Sequence, residues 1–183
     1  MPIVYLSPSL QEFNPFINGG TEEEYMNLIA DAMEPYLAAS GITVIRNSPE
    51  MTLGEVIAAS NNSGADFHLA IHSNASPESI AGQRQGPVIY YYSGSPMGKR
   101  MAEIIAENFK SIYPVPARIQ TLPTVTLREL RRTRTPSALV EVAYHDNWED
   151  ADWIKENIMP IARELSRSLT EYFGIPFVEP PVF

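Results

Sequence analysis

The chain has three histidines and no cysteine, so whatever chemistry it performs must come from imidazole, carboxylate, hydroxyl or amide groups. Thiol catalysis, disulfides and cysteine-bearing zinc sites are excluded at once. His72 closes an apolar run, Phe67-His-Leu-Ala-Ile-His72, and is followed directly by Ser73-Asn74-Ala75. A neutral imidazole at the carboxyl end of a strand suits a catalytic metal, and it equally suits a half-buried histidine held by backbone carbonyls. His68 lies on the same strand face but roughly 13 Å away, so the two histidines cannot share one ion. Glu141 is the stronger anomaly. It interrupts Ala138-Leu-Val-Glu-Val-Ala-Tyr144, where a doubly covered strand should be continuously aliphatic. A carboxylate there is costly unless it is catalytic, bound to a cation, or paired with Arg131, Arg132 or Arg134.

These residues need a scaffold, and the pattern around them alternates strand with helix. Strands are predicted over 3–6, 42–46, 66–72, 87–92, 118–122 and 138–144. Thr21-Glu22-Glu23-Glu24 and Thr52-Leu-Gly-Glu55 read as capping boxes opening helices to about Ala39, with a kink at Pro35, and to about Asn62. Ser95-Pro96 starts a helix to about Tyr113, and Asn147 with Asp150 caps a last helix to about Phe173. This order predicts a single α/β domain over 1–174, with a mostly parallel central sheet covered by helices on both faces. The Pro-rich stretch 175–183 reads as a tail packed on the surface or the stub of a linker. In such a sheet ligands gather beyond the carboxyl ends of the strands. The loop Ser7 to Asn14, His72 to Asn74, Glu141 to His145 and the first turn at Glu22 all fall there.

Over 183 residues, 44% hydrophobic and 19% charged composition is that of a globular domain. Thirteen basic against 22 acidic residues, a net charge of −9, argues against nucleic acid as a partner. No run of 18 apolar residues predicts a membrane span, and the start of the chain, Met-Pro-Ile-Val-Tyr-Leu-Ser, has neither the basic nor the apolar stretch of a signal peptide.

Three frames together resemble the zinc-dependent N-acetylmuramoyl-L-alanine amidases of the type 3 catalytic domain. They are the apolar strand ending His72-Ser-Asn-Ala, the segment Ala138-Leu-Val-Glu141-Val-Ala-Tyr-x-x-Asn147, and Glu23-x-x-x-Asn27-Leu28 at a helix start. The resemblance runs from Ile3 to about Phe173. It implies an α/β fold, one zinc ion, and hydrolysis of the amide between the lactyl group of N-acetylmuramic acid and L-alanine of the peptidoglycan stem. It makes Glu23 and His72 zinc ligands and Glu141 the general base, with Glu23 favoured as a carboxylate by the helix dipole. Asn147 is explained by capping.

The chain departs from the family in the first loop. Where the family has Asp-Pro-Gly-His-Gly-Gly, with the histidine a zinc ligand, this chain has Leu6-Ser-Pro-Ser-Leu10-Gln11. Leu10 cannot coordinate a metal. His145, at the rim beyond Glu141, is expected to supply the missing nitrogen in preference to the neutral amide oxygen of Gln11. Asn74, Gln11 and Arg131 are expected to contact substrate, with Gln83 to Gln85, Tyr90 to Tyr92 and Arg128 to Arg134 as groove walls. Two other functions fit the altered loop: a metal-poor pseudoenzyme that binds muropeptides, and a zinc hydrolase acting on a different amide. The resemblance implies action at the bacterial cell wall, and the lack of a signal-peptide pattern leads to the expectation of a chain that is cytoplasmic until released, or is part of a longer exported protein.

Overall fold

The computed structural model describes residues 1–181. Six strands form one sheet in the order β2-β1-β3-β6-β4-β5, comprising β1 Ile3–Pro8, β2 Thr43–Arg46, β3 Phe67–Asn74, β4 Val88–Tyr92, β5 Gln120–Thr124 and β6 Ser137–Tyr144. All neighbours run parallel except β4 and β6. The mostly parallel α/β sheet read from the sequence is therefore the observed one.

Alternation along the strands assigns each residue to a face. Val4, Leu6, Phe67, Leu69, Ile71, Ala138, Val140 and Val142 enter the main core, against α1 (Glu22–Ala39), α3 (Pro96–Phe109) and α6 (Ile158–Phe173). The opposite face carries Tyr5, Ser7, His68, Ala70, His72, Leu139 and Glu141. It is covered by α2 (Leu53–Asn62) and the short α4 (Arg128–Arg132), packing around Tyr5 with Val56 and around Leu130 with Ala70 and Leu139. Two helices, one of them five residues long, leave the carboxyl-end rim of this face open. A polar row of side chains is tolerated there for that reason.

Local signals hold with some corrections. The box at Thr52 is complete, its hydroxyl accepting from Glu55 N–H while the Glu55 carboxylate accepts from Thr52 N–H. At α1, Thr21 accepts from Glu24 N–H, but the acid of the first turn that folds inward is Glu22, so only half of that box forms. α1 continues through Pro35. The predicted last helix is two, α5 (Trp148–Glu156) and α6, separated at Asn157. α4 was not anticipated. Residues 175–181 of the tail fold back over the helices, where Phe177 stacks on Tyr36 and lies under the guanidinium groups of Arg163 and Arg167. Among the described residues no helix is long and apolar enough to cross a membrane.

Candidate active site

β3 and β6 pair so that His72 lies directly beside Glu141. Both side chains face the α2/α4 side at the open rim, where a cleft of about 340 Å³ is lined by Leu10, Phe13, Leu53, Val56 and Leu127 together with His72, Glu129 and Glu141. Leu10 belongs to the apolar wall of this cleft, packed on the Tyr5 and Val56 cluster, which accounts for an aliphatic residue at that point of the loop.

His72 is held between two carboxylates. Its Nδ1 lies 2.9 Å from Glu22 Oε1, and its Nε2 faces Glu129 Oε2 at 3.7 Å. Burial alone would lower the imidazole pKa, but Glu129 and Glu22, with Glu141 nearby, raise it well above the ordinary histidine value. Glu22 is 1% exposed, and Asn14 Nδ2 donates to its Oε2 at 2.8 Å. Burial pushes its pKa up, and bonds from His72, Asn14 and Ser9 overcome this to hold it below the usual carboxylate range. Gln11 completes a triangle, its Nε2 lying 3.5 Å from Glu22 Oε1 and 3.3 Å from His72 Nδ1, while its Oε1 accepts from Asn14 at 2.9 Å.

Behind His72 runs a buried polar chain. Glu129 Oε1 accepts from Ser7 Oγ at 2.5 Å and lies 2.9 Å from His68 Nε2, and His68 Nδ1 meets Ser60 Oγ at 2.8 Å. Burial disfavours the Glu129 carboxylate, but His68 and His72 outweigh it and keep the group ionised far into acid. Although His68 is too far from His72 to share an ion with it, Glu129 links the two.

Glu141 differs from its neighbours. Its Oε2 is sealed from solvent and is without a hydrogen-bond partner among the described residues. Desolvation raises its pKa to about 7, with His72 opposing and Glu22 reinforcing the shift. A carboxyl group poised near neutrality, with one oxygen aimed at nothing the chain supplies, suits proton transfer to and from a bound molecule. Arg131, Arg132 and Arg134 are all exposed and none forms an ion pair with it among the described residues, so the salt-bridge explanation of Glu141 is not the one the fold adopts.

A model of the N-acetylmuramoyl-L-alanine amidase family matches residues 12–171, which take in the strands β2 to β6 and nearly all of the helices. The chain belongs to that family. A comparison with curated protein sequences returns no match. Among solved structures, the amidase is similar to the N-acetylmuramoyl-L-alanine amidase AmiC2 of Nostoc punctiforme, with TM-score 0.83 and 19% identity over 94% of this chain and 97% of that one. It is similar also to the catalytic domain of the N-acetylmuramoyl-L-alanine amidase CwlV from Bacillus (Paenibacillus) polymyxa var. colistinus, with TM-score 0.82 and 19% identity over 96% and 100%. Cwp6 from Clostridium difficile gives TM-score 0.82 and 26% identity, covering 93% of this chain and 29% of that one.

Several residues of the amidase lie elsewhere than the sequence suggests. Glu23 is one position out of phase: it is partly exposed, on the same stripe as Asn27, whose Nδ2 donates to its carbonyl, and it faces Leu10, Pro49 and Glu50. Glu22 takes the inward position because it lies four residues before Met26, on the buried stripe Met26, Ile29, Met33 and Leu37. That phase was readable from the sequence. His145 is not at the cleft. It is 4% exposed, its Nδ1 2.9 Å from Ser73 Oγ and its ring stacked on Phe16, so it ties the end of β3 to the loop before α1. Asn74 directs its Oδ1 to Ala75 N–H, and Arg131 faces a different groove beside Tyr92 and Thr133. Gln11 is the one expected substrate contact brought to His72. Glu129 was missed, since it stands in a basic segment whose short helix only the packing of Leu130 reveals.

Among the described residues no group of three or more His, Asp or Glu is arranged to hold a metal ion. The donors that do converge are Glu22 Oε1, His72 Nδ1 and the Gln11 amide, with separations of 2.9, 3.3 and 3.5 Å. Ligand atoms of a tetrahedral zinc stand roughly 3.3 Å apart. Glu22 and His72 therefore fit a zinc ion directly. Gln11 fits after a half-turn of its amide, which brings Oε1 inward and gives up the bond from Asn14.

Proposed function

We propose that this peptidoglycan amidase works with one zinc ion held by Glu22 and His72, with the Gln11 amide oxygen in the place of the family's loop histidine. When bound, zinc polarises the scissile carbonyl and makes a water molecule acidic enough to lose a proton near neutral pH. Glu129, its Oε2 3.7 Å from the far nitrogen of His72, favours a proton on that nitrogen and so leaves the near one free for the ion; Ser7 and His68 hold Glu129 in turn. Glu141 takes a proton from the attacking water at its unpartnered oxygen and hands it to the L-alanine nitrogen as the C–N bond breaks. The products are a lactyl carboxylate on the glycan and a free amino terminus on the stem, at the cell wall. One amide ligand among three predicts weaker zinc retention than a site with a second histidine gives.

The observation that carries this reading is the sealed, unpartnered Glu141 oxygen on the strand beside His72. Its test is digestion of purified peptidoglycan by the parent and by Glu141→Gln, with the products identified by mass spectrometry. The parent should release stem peptides beginning with L-alanine and the variant should not. Release of reducing sugars or of shorter peptides, or equal release by both proteins, would refute it. Elemental analysis of protein purified without chelator tests the metal: zinc near one per chain in the parent, and much less in Glu22→Gln.

A further inference from the structure

The basic residues of this acidic chain are unevenly placed. Four of its 13 lie within seven positions, Arg128, Arg131, Arg132 and Arg134, and all four are exposed. None forms an ion pair with a carboxylate among the described residues, although acids outnumber bases by 22 to 13. Glu129, inside the same segment, is turned inward to His68 and Ser7 and leaves the outer face without a counter-charge.

Three of the four share one groove. Arg128, Arg132 and Arg134, with Asn61 and Asn62 of α2 and Gly54 at its start, line a space of about 550 Å³. The backbone beneath the guanidinium groups is clamped: Asn61 Nδ2 donates to the Arg132 carbonyl at 3.1 Å, and Asn61 Oδ1 accepts from Arg134 N–H at 2.8 Å. Three cations gathered against their own repulsion on a fixed backbone form a site for oxyanions, and guanidinium groups grip carboxylates in a bidentate fork. Arg128 also lines the cleft that holds His72, Glu129 and Glu141. The groove thus adjoins the cleft at Arg128, within reach of a substrate that extends out of it.

We infer that the Arg128–Arg132–Arg134 groove binds the carboxylates of the stem peptide beyond the scissile amide and makes the enzyme prefer acidic over amidated stems. This rests on the amidase reading of the cleft. A peptide carboxylate is favoured over the phosphates of a wall polymer because Arg128 lines both the groove and the cleft.

The experiment compares the parent, Arg132→Gln/Arg134→Gln and Arg132→Lys/Arg134→Lys, all as the full chain. Two probes are used: a muramoyl tripeptide with free carboxylates and the same tripeptide with every carboxylate amidated. Binding is measured by calorimetry, so it reads the groove even in the absence of turnover, and hydrolysis is followed separately. The parent should bind the acidic probe about tenfold more tightly than the amidated one; the Gln pair should lose that preference, and the Lys pair should keep part of it. An equal affinity of the parent for both probes, or a preference untouched in the Gln pair, would overturn the inference while leaving hydrolysis, and with it the amidase reading, intact. Failure of the parent to hydrolyse either probe would count against the catalytic reading instead. Competition by poly(glycerol phosphate) that is abolished in the Gln pair, with no preference between the tripeptides, would reassign the groove to wall phosphates.

Discussion

Two buried polar clusters flank the carboxyl end of β6, and they differ in what completes them. Around the start of α5, Asp150 accepts from Tyr113 Oη at 2.7 Å, Gly86 N–H at 2.8 Å and Tyr144 N–H at 3.0 Å, while Asp146 accepts from Ser76 and Gly82 N–H. Backbone and side-chain donors of the chain itself satisfy both oxygens of Asp150 and one of the two oxygens of Asp146, and these bonds fasten the long loop between β3 and β4 to the end of the sheet. In the cleft, Glu22 and Glu129 are likewise satisfied, but Glu141 retains a sealed oxygen with no partner. On the proposed reading, Asp150, which the fold completes, is a fastening, and Glu141, which lines the cleft with one oxygen unpartnered, is kept for a bound molecule.

That contrast can be broken in order of effect. Glu141→Gln should lower hydrolysis by about 10²–10⁴-fold, measured as kcat/KM on a muramoyl peptide, because an amide cannot take the proton from water. In chelator-treated protein it should also remove a pH dependence. Burial lifts the folded carboxyl from 4.5 to about 7. The folded state therefore keeps a proton that the unfolded chain releases, and stability is fullest below pH 4.5 and falls as pH rises to about 7. Denaturant titration at pH 8 should find the variant more stable than the parent by about 3 kcal/mol. If instead the variant is the less stable, Glu141 is a fastening after all.

Asp150→Ala should behave in the opposite way, costing about 3 kcal/mol because it leaves a buried hydroxyl and two backbone N–H groups unsatisfied. Turnover per folded molecule should remain within a few-fold of the parent. Glu129→Gln should sit between the two, retaining the fold while lowering zinc affinity by about 10- to 100-fold through the loosened His72 ring, as read by competition with a chromogenic chelator. Glu23→Gln should change zinc content and kcat/KM by less than about twofold. A large loss there, with Glu22→Gln silent, would return the ligand to the position one residue along.

Much of this protein was legible in its amino-acid order. The strand-helix alternation, the cap at Thr52, the aliphatic strand broken by Glu141 and the apolar run ending at His72 follow from short-range periodicity, and periodicity of 2 or 3.6 residues is a local property. The choice between Glu22 and Glu23 was local too, and lay in the phase of the α1 stripe. Tertiary structure alone decided the rest. His145 carries the right chemistry at the right rim, but the packing of Phe16 and the hydroxyl of Ser73 draw it away from the cleft. Glu129 reaches His72 across 57 positions of chain only because a five-residue helix lays it over β3. Such contacts depend on which segments the sheet order β2-β1-β3-β6-β4-β5 brings side by side. No window of sequence contains them, because burial and charge pairing between distant segments are fixed only when the whole chain has collapsed around its core.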